Sequence, residues 1–101
     1  MLTLIASAAL AATAQPSDAP RKAYANCLGE FVRKANKDAL TQDAFDAGIK
    51  TACTTQEAAF RKSVVDYDMK TGTKRADAED GARLQVEDYM ANAREGFVAP
   101  K

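Results

Sequence analysis

The segment CLGEFVRKANKDALTQDAFDAGIKTAC runs from Cys27 to Cys53 and contains both cysteines of the chain. Leu40 lies midway between them, thirteen residues from each. Facing residues of an antiparallel helical hairpin are equidistant from its turn, and the same symmetry pairs Phe31 with Ile49. A disulfide needs Cα atoms about 5.5 Å apart, a distance that facing side chains on touching helices allow. The spacing therefore predicts a helical hairpin that turns near Leu40 and is closed by a disulfide between Cys27 and Cys53.

Apolar residues on each side of this turn recur with the period of an α-helix. Before the turn they predict a helix over about residues 20–36. After the turn Thr41 is a suitable N-cap, with Leu40 and Phe45 at the two positions of a hydrophobic staple. The pattern then predicts one long helix to Lys70, with an apolar face formed by Phe45, Ile49, Cys53, Phe60, Val64 and Tyr67.

The segment from Thr54 to Glu57 offers an alternative to one long helix. Its Thr-Thr-Gln-Glu sequence resembles a capping box, which would begin a new helix at that point. Because the apolar register passes through the segment without a slip, we expect a continuous helix.

A third helix is predicted after Gly72. This glycine suits a left-handed C-terminal cap, and Thr73 is placed to cap the next helix. We expect that helix to fray after Arg94 and to leave residues 97–101 as a loose tail. The predicted fold is all-α: a disulfide-linked helical hairpin plus a third helix, three antiparallel helices within residues 20–96. The apolar face of the third helix carries Ala78, Ala82, Val86, Tyr89 and Ala93, with Phe97 as a further candidate.

Residues 1–14, MLTLIASAALAATA, contain no charged side chain and end in Ala12-Thr13-Ala14. This run is shorter than the roughly 20 apolar residues that cross a bilayer, but it matches a signal peptide with a small-x-small cleavage site. No basic residue precedes the run, as one would in a complete signal peptide, so a misassigned start codon is one explanation. The alternative to a signal peptide is a buried N-terminal helix. We expect a periplasmic or secreted protein, without stable membrane insertion, that begins with a flexible leader over residues 15–19.

The composition argues against most catalytic and metal-dependent chemistry. The chain has no histidine, and its 14 Lys and Arg residues balance 14 Asp and Glu residues. A frequent general base and metal ligand is therefore missing, and the net charge gives no indication of nucleic acid as a partner. Cys27 and Cys53 also lack the Cys-x-x-Cys spacing of a redox-active pair. We expect no catalytic residue, no metal site and no cofactor.

Three apolar side chains fall outside the predicted core. The first helix is shorter than the second, so the hairpin ends near Phe60, and Val65 and Met69 have no third helix opposite them. Leu84 points away from the apolar face of the third helix. We expect Val65, Met69 and Leu84 to form a contact surface for a protein partner or for a second copy of the chain. These features favour a non-catalytic protein-interaction module.

Four features occur together: the apolar N-terminus, Tyr-Ala-Asn-Cys-Leu at residues 24–28, Ala52-Cys53 and Glu87-Asp88-Tyr89. In this combination the chain resembles short exported helical proteins of sphingomonad-type bacteria. The resemblance implies an exported helical domain with one cysteine pair, and no particular activity. In size, cysteine count and export the chain is also similar to periplasmic acid-stress chaperones of the HdeA type, although those space their cysteines much further apart. That similarity implies a periplasmic stress chaperone as the alternative function.

Overall fold

The structure is a computed structural model that describes residues 18–101. This part of the chain forms four α-helices and no strand: α1 (Asp18–Lys37), α2 (Gln42–Ile49), α3 (Thr54–Lys70) and α4 (Arg75–Gly96). The all-α class is confirmed. The predicted count of three helices is wrong, because the predicted second helix is divided into α2 and α3. The predicted signal peptide lies outside the described residues, and α1 includes the last two residues of the predicted leader.

The connection between α1 and α2 is fixed by a cap on each side. At the end of α1 the Leu40 amide donates to the Ala35 carbonyl at 3.0 Å, and Ala39 has a positive φ of 54°. A residue in this left-handed conformation ends many helices. At the start of α2 the Thr41 hydroxyl oxygen accepts a hydrogen bond from the Ala44 amide at 3.2 Å, so the predicted N-cap is confirmed.

A turn over residues 50–53 separates α2 from α3. The Ala52 amide donates to the Gly48 carbonyl at 2.9 Å, and the Glu57 amide then restarts the helical pattern on the Cys53 carbonyl at 2.8 Å. The prediction of one continuous helix is therefore wrong. The N-cap of α3 is Cys53, one residue before the capping box considered above, and this residue is also held by the disulfide.

Gly72 reverses the chain between α3 and α4. Its φ of 107° is a conformation that glycine adopts without steric cost. The Thr73 amide donates to the Asp68 carbonyl at 2.9 Å and the Gly72 amide donates to the Met69 carbonyl at 3.1 Å, which is the Schellman pattern. The predicted glycine cap is confirmed. Thr73 does not cap the next helix: the N-cap of α4 is Lys74, without a side-chain cap hydrogen bond.

The core lies between α1, α3 and α4, which pack against one another. One aromatic ring from each helix meets at its centre. Tyr24 of α1 stacks on Phe60 of α3 with ring centroids 5.8 Å apart, and Tyr89 of α4 meets both rings edge-on. Tyr24 and Phe60 are fully buried. This contact joins residues that are far apart in sequence and fixes the relative position of three helices.

A second group of aromatic rings holds α2 and the segment after α4. Phe45 of α2 lies 5.5 Å from the ring of Phe31 and 4.0 Å from the ring of Phe97, measured between centroids. The Val98 amide also donates to the side-chain oxygen of Asn36 at 2.9 Å. The prediction of a loose tail is therefore wrong for Phe97 and Val98, because both are held against the helices.

Two helical glycines give opposite expectations for the same substitution. At Gly81 of α4 a Cβ would have open space, so Gly81→Ala is expected to raise the free energy of unfolding by about 0.5–1 kcal/mol through helix propensity. At Gly48 a Cβ would lie 2.8 Å from Cζ of Phe31, whose ring already packs on Phe45. Gly48→Ala is expected to lower the free energy of unfolding by about 1–3 kcal/mol. Urea denaturation measures both values, and a stabilising Gly48→Ala would contradict the tight packing of Phe31 on α2.

Candidate contact surface

Cys27 and Cys53 form the predicted disulfide, with an S–S distance of 2.08 Å and Cα atoms 6.0 Å apart. Cys27 is half-buried on α1, whereas Cys53 is buried at the start of α3. The bond ties these two helices together and encloses α2 in a covalent loop. Both cysteines of the chain are used, so the pair offers a crosslink and no free thiol.

The three residues of the predicted contact surface lie in different environments. Val65 is 7% exposed and belongs to the core, whereas Met69 is 37% and Leu84 49% exposed. The expectation that Val65 lacks a covering helix is wrong, because α4 packs along α3 and Val65 lies at this contact together with Ala82 of α4. Met69 and Leu84 remain available at the surface.

Val65 instead forms part of the floor of a groove between α3 and α4. The groove has a volume of about 780 Å³, and its floor includes the buried side chains of Val65 and Ala82. Met69 and Leu84 do not line the groove: Met69 follows Val65 by one helical turn on α3, and Leu84 follows Asp80 by one turn on α4. The rim of the groove is formed by charged residues from both helices: Arg61, Lys62, Asp66, Arg75, Glu79, Asp80 and Arg83.

The charges on the rim are paired along each helix. On α3, Lys62 pairs with Asp66 at 2.6 Å, and Arg61 pairs with Glu57, outside the rim, at 2.9 Å. On α4, Arg83 donates hydrogen bonds to Asp80 at 2.6 Å and Glu87 at 2.7 Å, which raise the pKa of its guanidinium group. Arg75 and Glu79 are separated by 3.7 Å.

Exposed pairs of this kind each contribute about 0–1 kcal/mol to folding stability. Each charged residue of the rim has an ion-pair partner on its own helix. The charged rim is therefore better suited to define the edge of a contact than to capture a free ion.

Tyr24 has an unusual environment at the centre of the core. Its hydroxyl group is buried and has no hydrogen-bond partner among residues 18–101. Burial raises the pKa of Tyr24 to about 12, with a smaller contribution from the negative charge of Glu57 that Arg61 opposes. The hydroxyl group is not among the atoms that line the groove, so we assign it no role in the contact surface.

The pKa of Tyr24 predicts a loss of stability at high pH. An unfolded tyrosine ionises near pH 10, whereas Tyr24 in the folded protein keeps its proton until about pH 12. The stability that the neutral Tyr24 side chain contributes is therefore fully present below pH 10. As the pH rises towards 12, the free energy of unfolding falls by about 2–3 kcal/mol. Tyr24→Phe is expected to remove this loss and, at neutral pH, to stabilise the fold by about 1 kcal/mol, because an unpaired buried hydroxyl group disappears.

Urea denaturation at pH 8, 10 and 11.5 tests this expectation, with Tyr67→Phe as the matched control on a half-buried ring. Equal pH dependence for the wild type and Tyr24→Phe would contradict it.

Sequence reasoning missed the groove because its walls come from two helices whose packing is not readable from either helix alone. The spacing of charged residues did indicate part of one wall of the groove, since Lys62 and Asp66 are four residues apart and lie on the same side of α3. The contact between Asn36 and Val98 left no comparable pattern, because these residues are 62 positions apart.

Two further properties concern the described part of the chain. Among residues 18–101, no group of His, Cys, Asp and Glu side chains is arranged to hold a metal ion. None of the four helices has both the length and the apolar character required to cross a bilayer. Comparisons of the chain with protein-family models, with curated proteins and with solved structures find no match.

Proposed function

We propose that this chain is an exported, non-catalytic interaction module that contacts a protein partner through the α3–α4 groove together with Met69 and Leu84. The observation that carries the proposal is the groove, with its buried apolar floor and its charged rim. Protein interfaces commonly combine an apolar centre with a polar edge in this way. A partner of matching chemistry places an apolar side chain over Val65 and Ala82 and polar groups along the rim.

Export is supported by the disulfide and by the apolar residues 1–14. Disulfides persist in oxidising compartments and are rare where thiols are kept reduced. A bond between Cys27 and Cys53, the two cysteines of the chain, agrees with a protein that matures outside the cytosol. The proposal therefore places the contact surface in the periplasm or outside the cell.

The double variant Met69→Glu/Leu84→Glu tests the contact surface. Both side chains are exposed, so the variant is expected to fold normally, whereas two added carboxylates disfavour an apolar contact. We expect partner capture from the exported fraction of the host, or self-association measured by sedimentation velocity, to weaken at least tenfold. Substitution of Val65 is unsuitable for this purpose, because a charge at a buried position would destabilise the core.

The matched control is Ala59→Glu/Gln85→Glu, which adds the same charge to exposed positions of the same two helices. Capture by this control variant is expected to equal that of the wild type. If both double variants capture partners as the wild type does, Met69 and Leu84 are ordinary surface residues and the proposal is wrong.

The alternative function, a stress chaperone opened by acid, has less support. Acid opening is most effective where protonation neutralises a carboxylate that is buried or strongly paired in the folded state. The buried residues within 18–101 include no carboxylate, and the ion pairs are exposed or, as for Arg61 with Glu57, partly buried. Acid would therefore remove several small contributions without disturbing the packing of the aromatic rings.

A further inference from the structure

The end of α4 and the segment after it are held by three consecutive residues, each through a different contact. Gly96 passes so close to α1 that a Cβ would lie 3.3 Å from Cγ1 of Val32. The ring of Phe97 stacks on Phe45 with centroids 4.0 Å apart and an interplanar angle of 8°. The Val98 amide donates to the side-chain oxygen of Asn36 at 2.9 Å. The three contacts are therefore of different kinds: close packing at Gly96, ring stacking at Phe97 and a backbone hydrogen bond at Val98.

Asn36 contacts the peptide groups on both sides of Phe97. Its side-chain nitrogen donates to the Gly96 carbonyl at 3.0 Å, and its side-chain oxygen accepts from the Val98 amide. One side-chain amide thus satisfies a donor and an acceptor of the same peptide backbone. Such contacts recognise an extended backbone and do not depend on the side chains at the first and third positions.

The ring of Phe97 fills a site formed by α1 and α2. Phe45 is fully buried, and its other neighbour, Phe31, lies 5.5 Å away between centroids. Phe97 itself is extended in its backbone, with φ −83° and ψ 134°, and is half-buried. Stacked aromatic rings contribute about 0.5–1.5 kcal/mol beyond the area that they bury. The ring is therefore the main anchor of the segment.

The segment beyond this anchor has few contacts. Val98 is 73% exposed, and residues 99–101 are exposed as well. The C-terminal residues 96–101 are thus attached only through residues 96–98, and an independent peptide of the same sequence is able to make the same contacts. Such an arrangement allows a ligand to replace the segment without disturbing the core between α1, α3 and α4.

We propose that Val32, Asn36 and Phe45 form a peptide-binding cleft for a Gly-aromatic-Xaa segment whose aromatic residue is extended, which the chain's own residues 96–98 occupy. The ligand is a protein segment in which a phenylalanine or tyrosine follows glycine and precedes a residue with a free backbone amide. The cleft shares no residue with the α3–α4 groove, so this inference goes beyond the proposed function and does not depend on it.

A labelled peptide with the sequence of residues 95–101, EGFVAPK, tests the cleft in the full chain. In the wild type the chain's own segment competes at an effective concentration of the order of millimolar. Phe97→Ala removes the anchor of that competitor, so fluorescence anisotropy is expected to show peptide binding at least tenfold tighter than in the wild type. The same peptide with alanine in place of phenylalanine is expected to bind at least tenfold more weakly.

The role of Asn36 is tested in the Phe97→Ala background. Asn36→Ala is expected to weaken peptide binding at least tenfold, whereas Asn26→Ala, on an exposed position of the same helix, is expected to leave it unchanged. Equal affinity of the wild type and Phe97→Ala for the peptide would overturn the proposal, and so would equal effects of the two asparagine substitutions.

If far-UV circular dichroism shows that Phe97→Ala is unfolded, Val98→Pro is the variant that tests the cleft. Proline lacks the backbone N–H that Val98 donates to the side-chain oxygen of Asn36. It also suits the extended backbone of the preceding residue, Phe97. This variant is expected to bind the peptide at least threefold more tightly than the wild type. Affinity equal to that of the wild type would overturn the proposal.

Discussion

Removal of the disulfide between Cys27 and Cys53 is expected to lower the free energy of unfolding by about 3.5 kcal/mol. The two cysteines are 26 positions apart, and the chain-entropy relation for a loop of that length gives this value. In a domain of this size the loss corresponds to a fall in melting temperature of about 15–25 °C. The measurement is urea and thermal denaturation of the double variant Cys27→Ser/Cys53→Ser against the oxidised wild type.

Reduction of the wild type is the control that separates the crosslink from the side chains. Cys53 is buried, so its replacement by serine also changes packing and polarity. Reduced wild type keeps both sulfur atoms and loses only the bond. If the reduced protein unfolds at the same urea concentration as the oxidised protein, the bond does not restrict the unfolded chain, and the expected loss of about 3.5 kcal/mol is wrong.

Substitution of Phe60 by alanine is expected to lower the free energy of unfolding by about 3–5 kcal/mol. Phe60 is fully buried, stacks on Tyr24 and meets Tyr89 edge-on at 5.5 Å, so its loss leaves a cavity where α1, α3 and α4 meet. A small domain has a total stability of about 5–15 kcal/mol, so this variant is expected to retain little of it. The measurement is urea denaturation followed by far-UV circular dichroism.

Phe60→Leu is the matched control, because leucine keeps most of the apolar volume. Its expected loss is about 1–2 kcal/mol, through the aromatic contacts and imperfect shape. A loss for Phe60→Ala no larger than that of the leucine variant would show that the three helices close around the cavity, and that the aromatic centre does not control their packing.

The parts of the fold that the sequence predicted correctly depend on local rules or on symmetry. Thr41 and Gly72 have their capping roles because the hydrogen bonds and the positive φ involve neighbouring residues. The pairing of Cys27 with Cys53 followed from the presence of only two cysteines in the chain, and their equal distances to the turn agreed with it. These signals lie within a few residues or depend on spacing alone, so they are readable from the sequence without a structure.

The interruption between α2 and α3 shows a limit of periodicity. The turn over residues 50–53 has four residues, close to the 3.6 residues of one helical turn. Ile49 and Cys53 are therefore both buried in the same core, and the apolar pattern is the same as that of a continuous helix. A periodic pattern reports which residues face the core, and it does not report whether the backbone between them is helical.

The contact surface was only partly predictable for a different reason. Met69 and Leu84 are exposed, as expected. Val65 is buried because α4 packs beside it, and its position on α3 does not reveal that second contact. The attachment of Phe97 to Phe45 is likewise a long-range contact, and such contacts decide which apolar residues of a short domain remain free.

The covalent loop closed by Cys27 and Cys53 also determines how the chain responds to a protease. Arg33, Lys34, Lys37 and Lys50 lie between the two cysteines, so a trypsin-like enzyme that cuts once at any of them opens the ring without releasing a fragment. Both halves stay on one molecule, and α1 stays fastened to the start of α3. Such a nicked chain still presents the α3–α4 groove as one covalent species.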